Sequence, residues 1–303
     1  MLVQLGAMRV LILGGNGLLG HKVWQVFQRR FDAWATVRGG DEDYKRYGLC
    51  DPRRLLGGVN AFEIDSVTEA LNKVRPDVVV NCIGIVPRSH GSEDSITGLK
   101  VNALFPHQLA SMCERFNARL IHMSTDCVFS GRKGMYTEED RPDPEDLYGR
   151  CKLLGEVTSP HCLTIRSSMI GRELAGTRGL VEWFLSQRGR RVRGYSNGIF
   201  TGFPTLILAE IMAELVERGP RLSGVYHVSS EALSKYEILC LLKETYRVAI
   251  EIEPFEDFRI DLSLDSSRFR AATGFRPKPW SEMIRIMAED ATPYDDWRNA
   301  GAT

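Results

Sequence analysis

Tyr148 and Lys152 stand four residues apart in Pro144-Glu-Asp-Leu-Tyr148-Gly-Arg-Cys-Lys152, so on a helix both project from one face. An ammonium beside a phenol favours the phenolate and draws the phenol, whose free pKa is about 10, toward working pH. Hydride delivered to a ketone leaves an alkoxide, and a phenol tuned in this way can protonate it. A positioned acid of this kind is worth on the order of 10²–10⁴ in rate. Upstream, Ser124-Thr125-Asp126 closes an apolar run, and the Thr125 hydroxyl there can hold the carbonyl oxygen. A tyrosine and a lysine at this spacing recur often by chance, so their weight depends on what the rest of the chain builds around them.

The start of the chain supplies a place for the hydride donor. An apolar run, Val10-Leu-Ile-Leu13, is followed by Gly14-Gly-Asn16-Gly17-Leu18-Leu19-Gly20, and then Val23, Val26 and Phe27 fall near helical spacing. Strand, glycine turn and helix in that order form a dinucleotide cradle. Gly14 takes the tight turn, Gly17 lets the backbone approach a pyrophosphate, and Gly20 lets the helix pack closely with its N–H groups toward the phosphates. Asn16, Leu18 and Leu19 belong to the same turn, whose G-x-x-G-x-x-G spacing is one residue longer at the front than the usual fingerprint. Lys152 can bond the nicotinamide ribose of a dinucleotide held there. A second strand, Ala33-Trp-Ala-Thr-Val-Arg38, ends in an arginine where cradles for NAD carry an acid, and a guanidinium can hold a 2′-phosphate. NADPH is therefore expected, with NADH a permitted alternative.

The elements that must position these groups alternate in type. Residues 61–65 read as a short third strand, and Ser66-Val-Thr-Glu69 as the capping box of a helix that Pro76 stops. A fourth strand, Val78-Val-Val80, leaves through Asn81-Cys82-Ile83-Gly84; a helix over 102–116 leads to a fifth strand at 119–123, and 161–166 is a sixth. Nearly continuous apolar strands between helices imply an α/β fold, a Rossmann-type doubly wound parallel sheet covered on both faces. Arg38, Asp65, Cys82 to Gly84 and Ser124 to Asp126 all fall at expected strand exits, where ligands of such sheets lie. The cofactor domain is expected over 8–167, completed by 224–229, with a smaller C-terminal α/β substrate domain over 168–303. In that domain helices are expected at 180–188 and 206–218 around a loop at 194–205, followed by a strand at 248–254.

Composition excludes several classes. Lys plus Arg equals Asp plus Glu, 39 each, so no basic excess advertises nucleic acid or an anionic membrane. No window approaches the apolar length of a bilayer span. The stretch ahead of Met8 makes a poor signal peptide, and Met8 reads as the original start. Seven scattered cysteines without a C-x-x-C pair read as reduced, mostly buried thiols of a cytoplasmic protein. His122 alternates with apolar neighbours and reads as a satisfied core histidine rather than a catalyst. The acidic loop 133–146 lacks ligand spacing, and no metal is expected. A homodimer is permitted.

From Met8 onward the chain resembles the extended short-chain dehydrogenase/reductase family, and within it the dTDP-4-dehydrorhamnose reductase branch. The resemblance rests on Gly14-x-x-Gly17-x-x-Gly20, Arg75-Pro-Asp-Val-Val-Val-Asn81, Val101-Asn102-Ala103, Ser124-Thr125-Asp126-x-Val128-Phe129 and Pro144-x-x-x-Tyr148-Gly-x-x-Lys152. It continues through Gly155-Glu156, Arg166-Ser-Ser168, Gly202-Phe-Pro-Thr205 and Gly224-Val-Tyr-His227. It implies Thr125, Tyr148 and Lys152 as the catalytic trio. Gly14 to Gly20, Arg38, Asp65, Ser66, Cys82, Ile83, Gly84 and Asn102 are expected at the cofactor, together with Tyr148 and Lys152. Thr125, Asp126, Met169 and Arg259 are expected at the substrate. The activity implied is NADPH-dependent reduction of the 4-keto group of a 4-keto-6-deoxy nucleotide sugar, in the making of deoxysugar and polysaccharide precursors.

Two departures stand out. Cys151 precedes the lysine where the family often has Ser or Thr, and Met169 stands where the rhamnose-forming reductases carry Trp, which leaves the sugar open. A nucleotide-sugar epimerase or 4,6-dehydratase shares the fold and the Tyr/Lys pair. The dehydratases resemble one another in an Asp-Glu pair after the Thr, whereas here Cys127 follows Asp126. A third reading is a cofactor-bound regulatory subunit without turnover, which has no need of three intact catalytic positions.

Overall fold

The computed structural model describes residues 7–40, 42–45, 47–49, 51–86, 92–219 and 221–300; most of the stretch ahead of Met8, read above as a poor signal peptide, lies outside them. In chain order the strands are β1 (Arg9–Leu13), β2 (Asp32–Thr36), β3 (Leu55–Leu56), β4 (Val78–Asn81), β5 (Arg119–Ser124) and β6 (Cys162–Arg166). They continue with β7 (Met169–Ile170), β8 (Arg191–Phe200), β9 (Phe203–Pro204), β10 (Gly224–His227), β11 (Leu233–Ser234) and β12 (Glu251–Asp261). The helices are α1 (Gly20–Phe27), α2 (Glu42–Lys45), α3 (Ile64–Val74), α4 (Ser92–Gly98), α5 (Phe105–Arg115) and α6 (Leu147–Leu154), with a π-helical stretch, Leu99–Leu104, between α4 and α5. Then come α7 (Leu180–Leu185), α8 (Thr205–Glu217), α9 (Lys235–Tyr246), α10 (Ser267–Thr273), α11 (Trp280–Ala288) and α12 (Tyr294–Ala300).

The main sheet runs β10-β6-β5-β4-β1-β2-β3. β1 is parallel to both β2 and β4, β2 to β3, and β4 to β5. The chain lays β2 and β3 on one side of β1, then returns to lay β4 on the other. That reversal between β1 and β4 is the switch point beyond whose strand ends ligands of doubly wound sheets lie. The expected Rossmann-type sheet is thus the one formed, with β10 at its edge beside β6. Its strands are apolar on both faces because both are covered: Val10 to Leu13 and Val79 to Val80 are fully buried. Leu11, Leu13, Val79 and Leu120 pack with Leu71, Phe105 and Leu109 from the helices, and burying each such side chain stabilises by about 1.5–3 kcal/mol.

Three expectations about the elements are corrected. The third strand is not 61–65 but β3, whose Leu55 and Leu56 pair with Ala35 and Thr36. Residues 61–65 turn into α3 instead, because Val67, Ala70, Leu71 and Val74 recur at helical spacing and form its buried face. Ser66 does not cap that helix: Glu63 is the N-cap, without a side-chain bond. The Ser66 hydroxyl instead accepts from Asn60 N at 2.9 Å and donates to Glu63 O at 2.6 Å. Pro76 does follow the helix end, where Arg75 takes a left-handed cap at φ 50°. Finally, 194–200 is not loop but the last seven residues of β8. Its glycines, serine and asparagine disguise a strand, and Gly194 is required there because a Cβ would lie 2.7 Å from the Tyr236 ring.

The chain divides into two compact units. The first comprises Met1–Ser124, Asp146–Ile165 and Ala209–Val225; the second comprises Thr125–Glu145, Arg166–Leu208 and Tyr226–Thr303. Within the second, β8 lies between β11 and β12, parallel to β12 and antiparallel to β11. Ser234 caps α9 in a reciprocal capping box with Glu237, as the sequence S-x-x-E indicates. β12 begins three residues later and ends seven residues later than the strand expected at 248–254.

Candidate cofactor and active site

The cradle forms at the switch point. Gly14 adopts φ +80°, a conformation open to glycine, and Gly17 N donates to Gly14 O at 3.0 Å to close the turn. A Cβ at Gly20 would lie 2.0 Å from Gly14 O, so α1 starts directly against the turn. No side chain caps the N-terminus of α1, which leaves that end of the helix available to an anion. A Cβ at Gly14 would meet Ile83 Cγ1 at 3.1 Å and Ile83 N at 3.3 Å, so Gly14, Cys82 and Ile83 are brought together across β1 and β4. Gly84 faces Asn102, whose Oδ1 accepts from Ile85 N at 3.0 Å while its Nδ2 donates to Ile85 O at 2.6 Å. Asn16 Nδ2 donates to the Tyr44 hydroxyl at 2.7 Å. A turn with no room for side chains, beside an uncapped helix end, fits a dinucleotide.

Sequence reasoning missed one residue that holds this turn and the steric reason for another. Thr36 accepts from Gly15 N through its carbonyl at 2.8 Å and from Gly14 N through Oγ1 at 3.3 Å. Gly15 is needed too, since a Cβ there would lie 2.8 Å from Ala35 Cβ; the Gly-Gly doublet was the available signal. Arg38 lies two residues beyond β2 and is exposed. Asp65 and Ser66 sit in the first turn of α3, not at a strand end, with Asp65 exposed.

Asn81 and His122 stiffen the exit of β4. Asn81 Oδ1 accepts from Ile83 N at 3.1 Å, and its Nδ2 donates to His122 Nδ1 at 3.1 Å. His122 is in the core as expected, but it is only half satisfied: its buried Nε2 has no partner among the described residues. Burial, with Lys152 and His107 nearby, holds its pKa well below the usual histidine value, so it stays neutral.

Tyr148 and Lys152 both lie on α6, which Asp146 caps by accepting from Gly149 N at 2.7 Å. Lys152 is 4% exposed, and its Nζ donates to Met123 O at 2.6 Å. Burial draws its pKa down to about 8, while Glu156 pulls the other way. The ammonium therefore persists at neutral pH and discharges a little above it. Tyr148 is half-buried.

Thr125 and Asp126 belong to the second unit. Both are buried, and the Thr125 hydroxyl is engaged: Oγ1 donates to Asp126 Oδ1 at 3.1 Å and accepts from Cys127 N at 3.2 Å. A hydroxyl has one proton, so Thr125 must release Asp126 before it can donate to a carbonyl. Met169 is half-buried on β7, paired in parallel with Phe203 of β9. Arg259 is exposed on β12, opposite Asn197. In the acidic loop, Glu138 accepts from His227 N at 2.8 Å and Asp140 pairs with Lys133. Among the described residues no group of three His, Cys, Asp or Glu side chains is placed to hold a metal, and no helix is long and apolar enough to cross a membrane.

A mostly parallel sheet ordered 3-2-1-4-5-6 from its β3 edge, with a glycine cradle at the switch point and a Tyr/Lys helix after β5, defines an extended short-chain dehydrogenase/reductase fold. The chain belongs to the family described as the RmlD substrate binding domain, whose model matches residues 8–292. A family of this kind groups nicotinamide-dependent oxidoreductases of nucleotide sugars. Among curated relatives, the spore coat polysaccharide biosynthesis protein SpsK of Bacillus subtilis is 27% identical over 95% of this chain and 99% of its own length. The methionine adenosyltransferase 2 subunit beta of Mus musculus is 28% identical over 84% of this chain and 77% of its own. Among solved structures, a hypothetical dTDP-4-dehydrorhamnose reductase from Sulfolobus tokodaii superposes with a TM-score of 0.74 at 26% identity, covering 90% of this chain and 98% of its own. The dTDP-4-dehydrorhamnose reductase of Bacillus anthracis, crystallised with NADP, gives 0.75 at 18% identity over 93% and 98%.

Proposed function

We propose that this protein reduces the 4-keto group of a 4-keto-6-deoxy nucleotide sugar with NADPH, supplying a precursor for polysaccharide. The observation that carries the reading is the seating of Lys152: a buried ammonium, anchored on Met123 O, one helical turn from Tyr148. A regulatory fold has no use for so costly a charge. Gly14, Asn16, Gly17, Leu18, Leu19, Gly20, Cys82, Ile83, Gly84 and Asn102 hold the dinucleotide, Asp65 and Ser66 border its adenosine side, and Arg38 takes the 2′-phosphate. When bound, the nicotinamide supplies hydride to the carbonyl carbon. Tyr148 gives the proton to the resulting alkoxide, Lys152 lowers the cost of the phenolate that remains, and Thr125 orients the oxygen after releasing Asp126. Met169 and Arg259 shape the sugar and nucleotide side, so the first unit is the cofactor domain and the second the substrate domain.

A second reading is favoured by one finding, the relatives named as a subunit of methionine adenosyltransferase: a cofactor-binding subunit without turnover. Incubation with NADPH and a panel of enzymatically made 4-keto-6-deoxy nucleotide sugars separates the two. Stoichiometric loss of NADPH absorbance with a product two mass units heavier is expected. Tight NADPH binding with no turnover on any sugar would favour the subunit, and cofactor-neutral epimerisation or dehydration of a 6-hydroxy sugar would overturn the reductase.

A further inference from the structure

Lys152, in the last turn of α6, and Glu156, two residues beyond its end, reach adjacent residues of β5. Lys152 Nζ donates to Met123 O at 2.6 Å, and Glu156 Oε1 accepts from Ser124 Oγ at 2.7 Å. The two bonds grip the last two residues of the strand, directly before Thr125 in the chain. Glu156 is not free to drift. It follows Gly155, where a Cβ would lie 1.9 Å from Asn102 O, so the backbone there is pressed onto the π-helical stretch. Ser124 is buried and Glu156 half-buried.

We infer that Glu156 is a positioning residue for the Tyr148–Lys152 pair: its carboxylate fixes the end of β5 through Ser124 and supplies the countercharge that keeps the Lys152 ammonium seated on Met123. The charged and titratable groups that act on Lys152 are Glu156, two residues beyond the end of α6, and His122 of β5, on which His107 of α5 acts in turn. His122 is neutral, as described. His107 Nε2 bonds Leu154 O at 2.7 Å. Neither histidine supplies negative charge, whereas Glu156 raises the Lys152 pKa against the burial that lowers it to about 8. Lys152 is buried and Glu156 half-buried, so removing the carboxylate leaves a buried ammonium with poor compensation. Neutral at Glu156, the site would let Lys152 discharge at lower pH, and the phenol would lose its partner.

The role rests on the proposed reduction only for its kinetic meaning, so the test begins without substrate. With the full-length chain, thermal unfolding at pH 7 is compared for wild type, E156Q, K152M and the double variant. E156Q is expected to lower the Tm clearly in the wild-type background and little beside K152M. Equal losses in the two backgrounds would overturn the countercharge. NADPH affinity is then followed against pH by fluorescence. Wild-type binding should weaken above about pH 8, K152M should lack that limb, and in E156Q its midpoint should fall by about one pH unit, tenfold in the protonation equilibrium. An unmoved limb in E156Q would sink the inference. E156D keeps the charge and should hold the limb near its wild-type midpoint; a shift as large as in E156Q would also overturn it. Failure of the wild type to bind NADPH would count against the proposed function alone, because the unfolding comparison still decides Glu156.

Discussion

The glycine turn of the first unit and the β8–β12 pair of the second are built on opposite terms. Around the turn, backbone meets backbone with no room for a side chain: a Cβ at Gly20 would stand 2.0 Å from Gly14 O. On β12 most side chains are exposed, the register against β8 slips between Phe255 and Arg259, and Phe258 is left facing water. A close-packed site tolerates few sequences, so its chemistry is inherited with its spacing. An exposed strand tolerates many, so its side chains can change while the fold stays. That contrast separates a stretch whose spacing is fixed by steric contact from one whose side chains can be exchanged at little cost to the fold.

The comparison breaks first at the chemistry. Tyr148→Phe keeps the ring and removes only the proton-donating oxygen, so reduction should fall by on the order of 10²–10⁴ with cofactor affinity and Tm nearly unchanged. A variant keeping more than about a tenth of the wild-type rate would remove Tyr148 from the acid's role, since a smaller loss lies below the general-acid range. Next comes the cradle itself. Gly20→Ala forces its Cβ onto the turn, and overpacking of this kind costs roughly 1–3 kcal/mol of stability. NADPH binding should weaken by about a hundredfold, some 2.7 kcal/mol, measured by titration alongside the Tm. Full affinity in this variant would mean that the turn can open where the structure shows contact.

How much of this was legible follows the same division. The β1–glycine–α1 unit was readable because each glycine answers one steric demand. The Tyr148–Lys152 spacing was readable because helix geometry fixes it. The third strand was misread: Ala61, Phe62 and Ile64 look extended over five residues, but Ile64 belongs with Val67, Ala70 and Leu71 on one helical face. β3 itself is only Leu55–Leu56, too short to show a period. The strand in 191–200 hid behind Gly194, Ser196, Asn197 and Gly198, tolerated because α9 and β12 pack against β8 and Gly194 admits Tyr236. Thr36 was unreadable as a cradle residue, since its role depends on two bonds to a turn twenty residues earlier. The engagement of Thr125 with Asp126 was equally hidden, because a hydroxyl's partner is set by its fold and not by its spacing.

Arg38, two residues beyond β2 and exposed, stands between the two extremes. A charge-assisted contact to a 2′-phosphate at such a place should be worth about 1.4 kcal/mol, or tenfold. Arg38→Asp repels that phosphate and accepts ribose hydroxyls, so the ratio of kcat/KM for NADPH over NADH should fall through unity. An unchanged ratio returns Arg38 to an ordinary solvated arginine and moves cofactor choice elsewhere in the cradle.

The smallest effect belongs to Arg259, on the exposed strand. Its guanidinium lies in water, so any contact it makes with a nucleotide phosphate is screened, as surface ion pairs are, and contributes about 0.2–1 kcal/mol. Arg259→Ala should therefore raise the KM for the sugar nucleotide by roughly 1.4- to fivefold, leaving kcat and the Tm unchanged. The KM of the wild type should rise with added salt, and that of Arg259→Ala should rise less, because screening acts on a contact the variant has already lost. A variant with lowered kcat, or a parallel salt response in both proteins, would mean that Arg259 is not a rim contact and that the exposed strand takes part in the chemistry after all.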